Sequence, residues 1–177
     1  MKELKRKIKE LAEKVYKELG PFGFIKETEY EAALAYEFRK NGLKYLEQLQ
    51  VDIMYEDQVL KGGKVDFIVF DEKEENGIIV ELKTQKDISG EYLHQLLKYY
   101  DALKSQKTGV PRFLSEKIKG GMVLNWKTYD AIKDKLLEGF QEADKISVTL
   151  DIDKFKEQYG DIIDLVEIEV PVEKKRK

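Results

Sequence analysis

Residues 64–83 read KVDFIVFDEKEENGIIVELK. Two Val/Ile-rich runs flank a polar stretch that contains a glycine, the pattern of a β-hairpin whose strands lie inside a sheet. Side chains alternate across a strand, so Glu81 and Lys83 fall on one face and Leu82 on the other. Asp66, on the partner strand, can point to the face of Glu81 and Lys83. Two carboxylates and an ammonium then converge on one spot of an otherwise apolar hairpin. A carboxylate is costly to bury there without a partner. Carboxylate oxygens are the ligands that Mg²⁺ takes, and a water held by such an ion beside a lysine is a ready attacking group for a phosphodiester. The competing reading is an ion pair on an exposed strand face, and Ile78-Ile79-Val80 immediately before Glu81 argues for burial instead.

Composition narrows the chemistry. The chain has no cysteine and a single histidine, His94, which excludes a disulfide framework, a thiolate site and a multi-histidine zinc site. Any metal site must be built from oxygen. At 177 residues and 42% hydrophobic content, the chain is long enough for one ordinary domain with a core. The net charge is −3, which counts against tight, non-specific binding to nucleic acid but leaves room for a local basic face. The lysines of the first 9 residues and Lys117 and Lys119 could track phosphates or simply face solvent. No apolar run approaches a membrane span, and the basic N-terminus lacks the apolar stretch of a signal peptide. The expectation is a cytoplasmic protein with no membrane partner.

Leu4, Ile8, Leu11, Val15 and Leu19 recur at helical spacing and predict a helix over 2–19, stopped by Gly20-Pro21. A second helix is predicted over 28–40, with Tyr30, Ala33, Leu34, Ala35 and Phe38 as its apolar face and Asn41-Gly42 as a left-handed cap. Glu27 and Glu31 are one turn apart and share that apolar face. They read either as site residues or as acids favoured by a helix N-terminus. Alternation over 49–55 predicts a strand, and Gly62-Gly63 a turn before the hairpin. A helix over 91–105 turns Tyr92, Leu93, Leu96, Leu97, Tyr100 and Leu103 inward. Residues 107–120 read as a loop or lid, and 121–125 as a short buried strand. Beyond it come a helix near 128–140, a strand near 145–150, a short helix near 153–159 and a strand near 165–170.

The segment ELGPFGFIKETEYEAALAYEFRKNGL resembles the opening of the GxxExxY family, a branch of the PD-(D/E)XK nuclease superfamily, through Leu19, Gly20, Pro21, Gly23, Glu27, Tyr30, Glu31, Ala33 and Leu34. Gln48, Tyr55, Asp66, Glu81-Leu82-Lys83, Gln95, Tyr99 and Leu124-Asn125 continue the pattern in order. An Asp followed by Glu-x-Lys is common by itself; the ordered set over about residues 8–126 is specific. The chain departs from the family in carrying the extra residues Phe22 and Lys26, and in having Tyr16 where the family often has a histidine.

The resemblance implies an α/β fold with a restriction-endonuclease-like αβββαβ core. A mixed central sheet would be flanked by helices, with an N-terminal helix and a C-terminal α/β extension (about residues 127–177) in the same domain. It implies a nuclease that uses Mg²⁺ or Mn²⁺ to hydrolyse phosphodiester bonds of nucleic acid, DNA before RNA. Asp66 and Glu81 would hold the metal, with Glu27 approaching from the helix and Glu31 in support. Lys83 would orient the attacking water and stabilise charge at the phosphate. Gln95 and Tyr99 resemble the Gln-x-x-x-Tyr element of RecB-like nucleases, which helps hold the site or the nucleic-acid backbone; the plain alternative is an amphipathic helix with a buried tyrosine. The rival function is a catalytically inactive nuclease-like module for nucleic-acid binding or assembly. A homodimer is compatible with so small a nuclease.

Overall fold

The computed structural model describes residues 1–19, 26–56, 58–85, 88–105, 110–127 and 163–169. In chain order the elements are α1 (Lys2–Leu19), α2 (Glu27–Lys40), β1 (Tyr45–Tyr55), β2 (Gln58–Phe70), β3 (Gly77–Lys83), α3 (Gly90–Lys104), α4 (Arg112–Lys117), β4 (Ile118–Trp126) and β5 (Ile163–Glu169). Among the described residues the strands form one sheet in the order β1-β2-β3-β4-β5. Neighbours are antiparallel except β3 and β4, which run parallel with α3 and α4 in the crossover. The sheet is mixed and flanked by helices, and the hairpin β2–β3 is central, as the αβββαβ order predicts. Gly20-Pro21 and the elements predicted over 128–140, 145–150 and 153–159 lie outside the described residues; the last predicted strand is β5. No helix among the described residues is long and apolar enough to cross a membrane.

Alternation along the strands divides the apolar side chains between two faces. On one face Phe67, Val69, Ile78, Val80, Met122 and Leu124 pack with the apolar stripes of α1 and α2. Trp126 locks this layer: its ring stacks on Tyr30 at 5.0 Å between centroids, and its indole N–H donates to the Ala12 carbonyl at 3.0 Å. On the other face Ile68, Ile79 and Val123 pack against Leu96, Tyr100 and Leu103 of α3 and Leu114 of α4. Strand β3 is thus buried on both sides, as its Ile78-Ile79-Val80 run requires. Helix α2 begins where the Lys26 N–H donates to the Glu29 carboxylate at 2.7 Å, and it ends at Asn41 and Gly42, the latter with φ +70°.

The structure corrects three local readings. Gly62-Gly63 is not a turn: both residues lie within β2, which extends back to Gln58. A Cβ on Gly62 would collide with the Val51 carbonyl, beside the register shift between Val51 and Ile53, and one on Gly63 would collide with the Tyr99 hydroxyl. These glycines serve close approach within a sheet rather than chain reversal. Residues 107–120 are not simply a loop, because Pro111 leads into α4 and β4 begins at Ile118. The inward face of α3 is also rotated from the expected one. Leu97 is 40% exposed and Leu93 only partly buried, whereas Tyr99 and Ala102 join the core.

Candidate active site

Strands β2 and β3 pair regularly from Phe70↔Gly77 to Phe67↔Val80. One step further along that register stands Asp66 opposite Glu81. There the Asp66 carboxylate accepts the backbone N–H of Leu82 at 2.8 Å. On the other side of β2, the pairs Glu47↔Phe67 and Leu49↔Val65 set Gln48 opposite Asp66. Gln48, Asp66 and Glu81 therefore form a row across three strands. Gln48 has φ +51°, a left-handed conformation that costs a non-glycine residue about 1–2 kcal/mol. Its side-chain amide donates to Glu31 Oε1 and to Asp66 Oδ1, the latter at 3.4 Å.

Glu81 is 1% exposed. Its Oε2 accepts a hydrogen bond from Gln95 Nε2 at 3.2 Å, and the same amide donates to the Tyr99 hydroxyl at 3.2 Å. Its Oε1 is buried and has no hydrogen-bond partner among the described residues. Burial pushes the Glu81 carboxyl up to about 8; the negative charge of Asp66 adds to the shift, and Lys83 and the nearby Asp66 backbone N–H oppose it. Burial also raises Asp66, against the Leu82 N–H and Lys83. Glu27, the first residue of α2, accepts the Thr84 N–H at 3.1 Å. Its carboxyl is raised by burial, with Lys83 pulling it down and Asp66 pushing it up. Glu31 is raised by burial, opposed by its bond from Gln48 and reinforced by Asp66. Burial is the main cause of all four shifts, so these carboxylates are poorly solvated and Lys83 only partly offsets the cost of their charge.

Lys83 Nζ donates to the Leu82 carbonyl at 2.6 Å and lies 3.9 Å from Glu81 Oε2 and 5.6 Å from the ring centroid of Tyr92. The chain is held just beyond it by Asn125, fully buried on β4 and paired in register with Lys83. Asn125 Oδ1 accepts the Gln85 N–H at 2.8 Å, and its Nδ2 donates to the Gln85 carbonyl at 3.1 Å. This clamp fixes the exit of β3 and with it the Thr84 N–H that anchors Glu27.

Asp66, Glu81, Lys83, Glu27 and Glu31 are thus brought to one place, with Gln95 and Tyr99 linked behind Glu81. His94 is not part of the group; it sits exposed on α3. Tyr16 lies in the α1–α2 core, stacks on Tyr30 at 6.2 Å and donates its hydroxyl to the Lys127 carbonyl at 2.6 Å. The positional roles of Gln48 and Asn125 were not legible from residue type. An amide on a half-buried strand gives no sign of a left-handed backbone, and Asn125, at the end of the apolar run of β4, clamps Gln85 beyond the neighbouring strand β3, 40 residues away in sequence.

The donor set fits a hard divalent ion: an orphaned, buried carboxylate oxygen on Glu81 beside Asp66, with the nearby acids raised by burial. Among the described residues no three Asp, Glu or His side chains form an ion cage by themselves.

No curated protein and no solved structure matches the chain. The sequence model of the PD-(D/E)XK nuclease superfamily matches residues 2–133, a span running from α1 through β4 and containing Asp66, Glu81 and Lys83. The chain belongs to the PD-(D/E)XK nuclease superfamily.

Proposed function

We propose that the chain is a divalent-metal-dependent nuclease that hydrolyses phosphodiester bonds of DNA, and that it stands in the GxxExxY branch of its superfamily. The observation that carries this reading is the buried, unpartnered Oε1 of Glu81 beside Asp66 and Lys83. Asp66 and Glu81 hold a Mg²⁺ or Mn²⁺ ion, with Glu27 approaching from the start of α2. An ion held there would supply neutralisation of phosphate charge and a more acidic water.

The remaining work belongs to the chain. Gln95 occupies Oε2 of Glu81 and so leaves Oε1 for the ion. Thr84 holds Glu27 by its backbone. Gln48 separates Glu31 from Asp66 by donating to both. A protonated lysine has no lone pair for a metal, so Lys83 orients the attacking water and stabilises the charge that develops on the phosphate. The test is cleavage of single-stranded, duplex and flapped DNA, and of RNA, with Mg²⁺ or Mn²⁺ and with chelator. Metal-dependent cutting of DNA is the expected result. Binding of one of these substrates with no cutting of any would make the chain a nuclease-like binding module instead.

A further inference from the structure

A groove of about 360 Å³ opens beside the acids, between α3 and the Gly62-Gly63 segment of β2. Among the described residues, strand β2 is paired on one side only at this point. Its ladder with β1 continues down to Gln58, whereas its ladder with β3 ends at Phe67. Gln95 and Tyr99 belong both to the groove and to the acid site, since Gln95 bonds to Glu81 and to Tyr99. The groove is therefore continuous with the place where a phosphodiester would be cut.

Two exposed polar side chains on the α3 wall are uncommitted. His94 and Lys98 are one helical turn apart, both line the groove, and neither has a hydrogen-bond or ion-pair partner among the described residues. Glu91, on the same wall nearer the start of α3, is an acid that would repel a phosphate. The volume is at the small end for ligand sites, room for one strand rather than two. Residues 45–65 of the outer hairpin carry four acids, Glu47, Asp52, Glu56 and Asp57, against two lysines, Lys61 and Lys64, a net negative balance that disfavours a second strand. The net charge of the whole chain, −3, counts against the many cationic contacts that hold a duplex non-specifically.

We infer that this groove seats a single strand of nucleic acid next to the cleaved bond, with Lys98 pairing to the flanking phosphate and His94 lying against the adjoining sugar or base. The assignment rests on the nuclease reading above and narrows its substrate to single strands.

The test measures binding of a fluorescent oligothymidylate, and of a duplex of the same length, to the full chain carrying Lys83→Ala. Lys98→Ala in that background weakens single-strand binding roughly fivefold at low salt and makes the slope of log affinity against log salt shallower by about 0.7, the value of one single-strand phosphate contact. Lys98→Arg keeps both. Glu91→Gln tightens binding, a gain that misfolding cannot mimic. The duplex binds more weakly than the strand throughout. The inference is overturned if Lys98→Ala changes neither affinity nor salt slope, if Glu91→Gln weakens binding, or if the duplex binds as tightly as the strand. A chain that shows these binding changes but, with Lys83 intact, cuts nothing keeps the groove and loses the nuclease reading. A chain that cuts single strands without them keeps the nuclease reading and loses the groove.

Discussion

Gln95 Nε2 donates to Glu81 Oε2 at 3.2 Å, while the other oxygen of that buried carboxylate has no hydrogen-bond partner among the described residues. A half-satisfied carboxylate in a sheet interior costs on the order of 1–3 kcal/mol, and nothing in the packing of β3 requires an acid at this position. Neighbouring residues of β3 are apolar and fully enclosed. The divalent-cation site proposed above would take up that free oxygen.

Stability of the metal-free protein will fall as pH rises. The Glu81 carboxyl is raised from its ordinary 4.5 to about 8 in the folded chain. Between those values the folded state holds a proton that the unfolded chain has released. The stabilisation is therefore complete below pH 4.5 and is lost as pH climbs to 8, at about 1.4 kcal/mol per pH unit. Asp66, Glu27 and Glu31 are raised as well and act in the same direction. Denaturant unfolding at several pH values with chelator present checks this. Glu81→Gln should flatten the dependence, and an unchanged slope in that variant would refute the assignment.

Lys83→Ala should lower cleavage by at least about 100-fold, the scale of losing one charge-stabilising group in an active site. Its thermal midpoint and its response to Mg²⁺ should stay close to those of the parent, because the ammonium is not a metal ligand. Single-turnover cleavage together with thermal melts separates the two effects. Retained cutting would remove Lys83 from the mechanism.

Divalent metal should stabilise the fold, by about 2.7 kcal/mol at a concentration 100 times the dissociation constant. Asp66→Asn should abolish that stabilisation while leaving the shape of the side chain unchanged. Thermal melts over a Mn²⁺ titration measure it. An equal upward shift in the variant would mean that the ion binds elsewhere.

Gly63→Ala should destabilise the protein by about 1–3 kcal/mol, because the new methyl group meets the Tyr99 hydroxyl. It should also lower cleavage, since Tyr99 and Gln95 stand behind Glu81. Lys64→Ala, at the exposed neighbouring position, should change stability by less than about 0.5 kcal/mol. The sole tryptophan, Trp126, is buried, so its fluorescence reports the unfolding of both variants. Equal stabilities for Gly63→Ala and Lys64→Ala would show that Tyr99 gives way freely.

The hairpin and the convergence of Asp66, Glu81 and Lys83 were legible because strand alternation is rigid: a residue's parity decides its face. Helix α2 was legible from its apolar spacing and its Asn41-Gly42 end. Gly62-Gly63 was misread because glycine marks both turns and close approaches, and only the position of Tyr99 on a distant helix separates them. Helix α4 carried a signal in Pro111, which presets a helical φ at a helix start, but six residues are too few for periodicity to register. Leu97 read as core because α3 is apolar around much of its circumference; which stripe turns inward depends on where β2 and β4 lie. The role of Gln48 required its left-handed backbone, which no side-chain pattern announces.

The most direct test of the account is anomalous diffraction from crystals of the protein soaked in Mn²⁺. The prediction is a peak between Asp66 and Glu81, within about 2.0–2.4 Å of an oxygen from each, with Glu81 Oε1 among the ligands. A well-ordered site with no peak there, or with Mn²⁺ bound only elsewhere, would contradict the claim that this carboxylate pair exists to hold a catalytic metal.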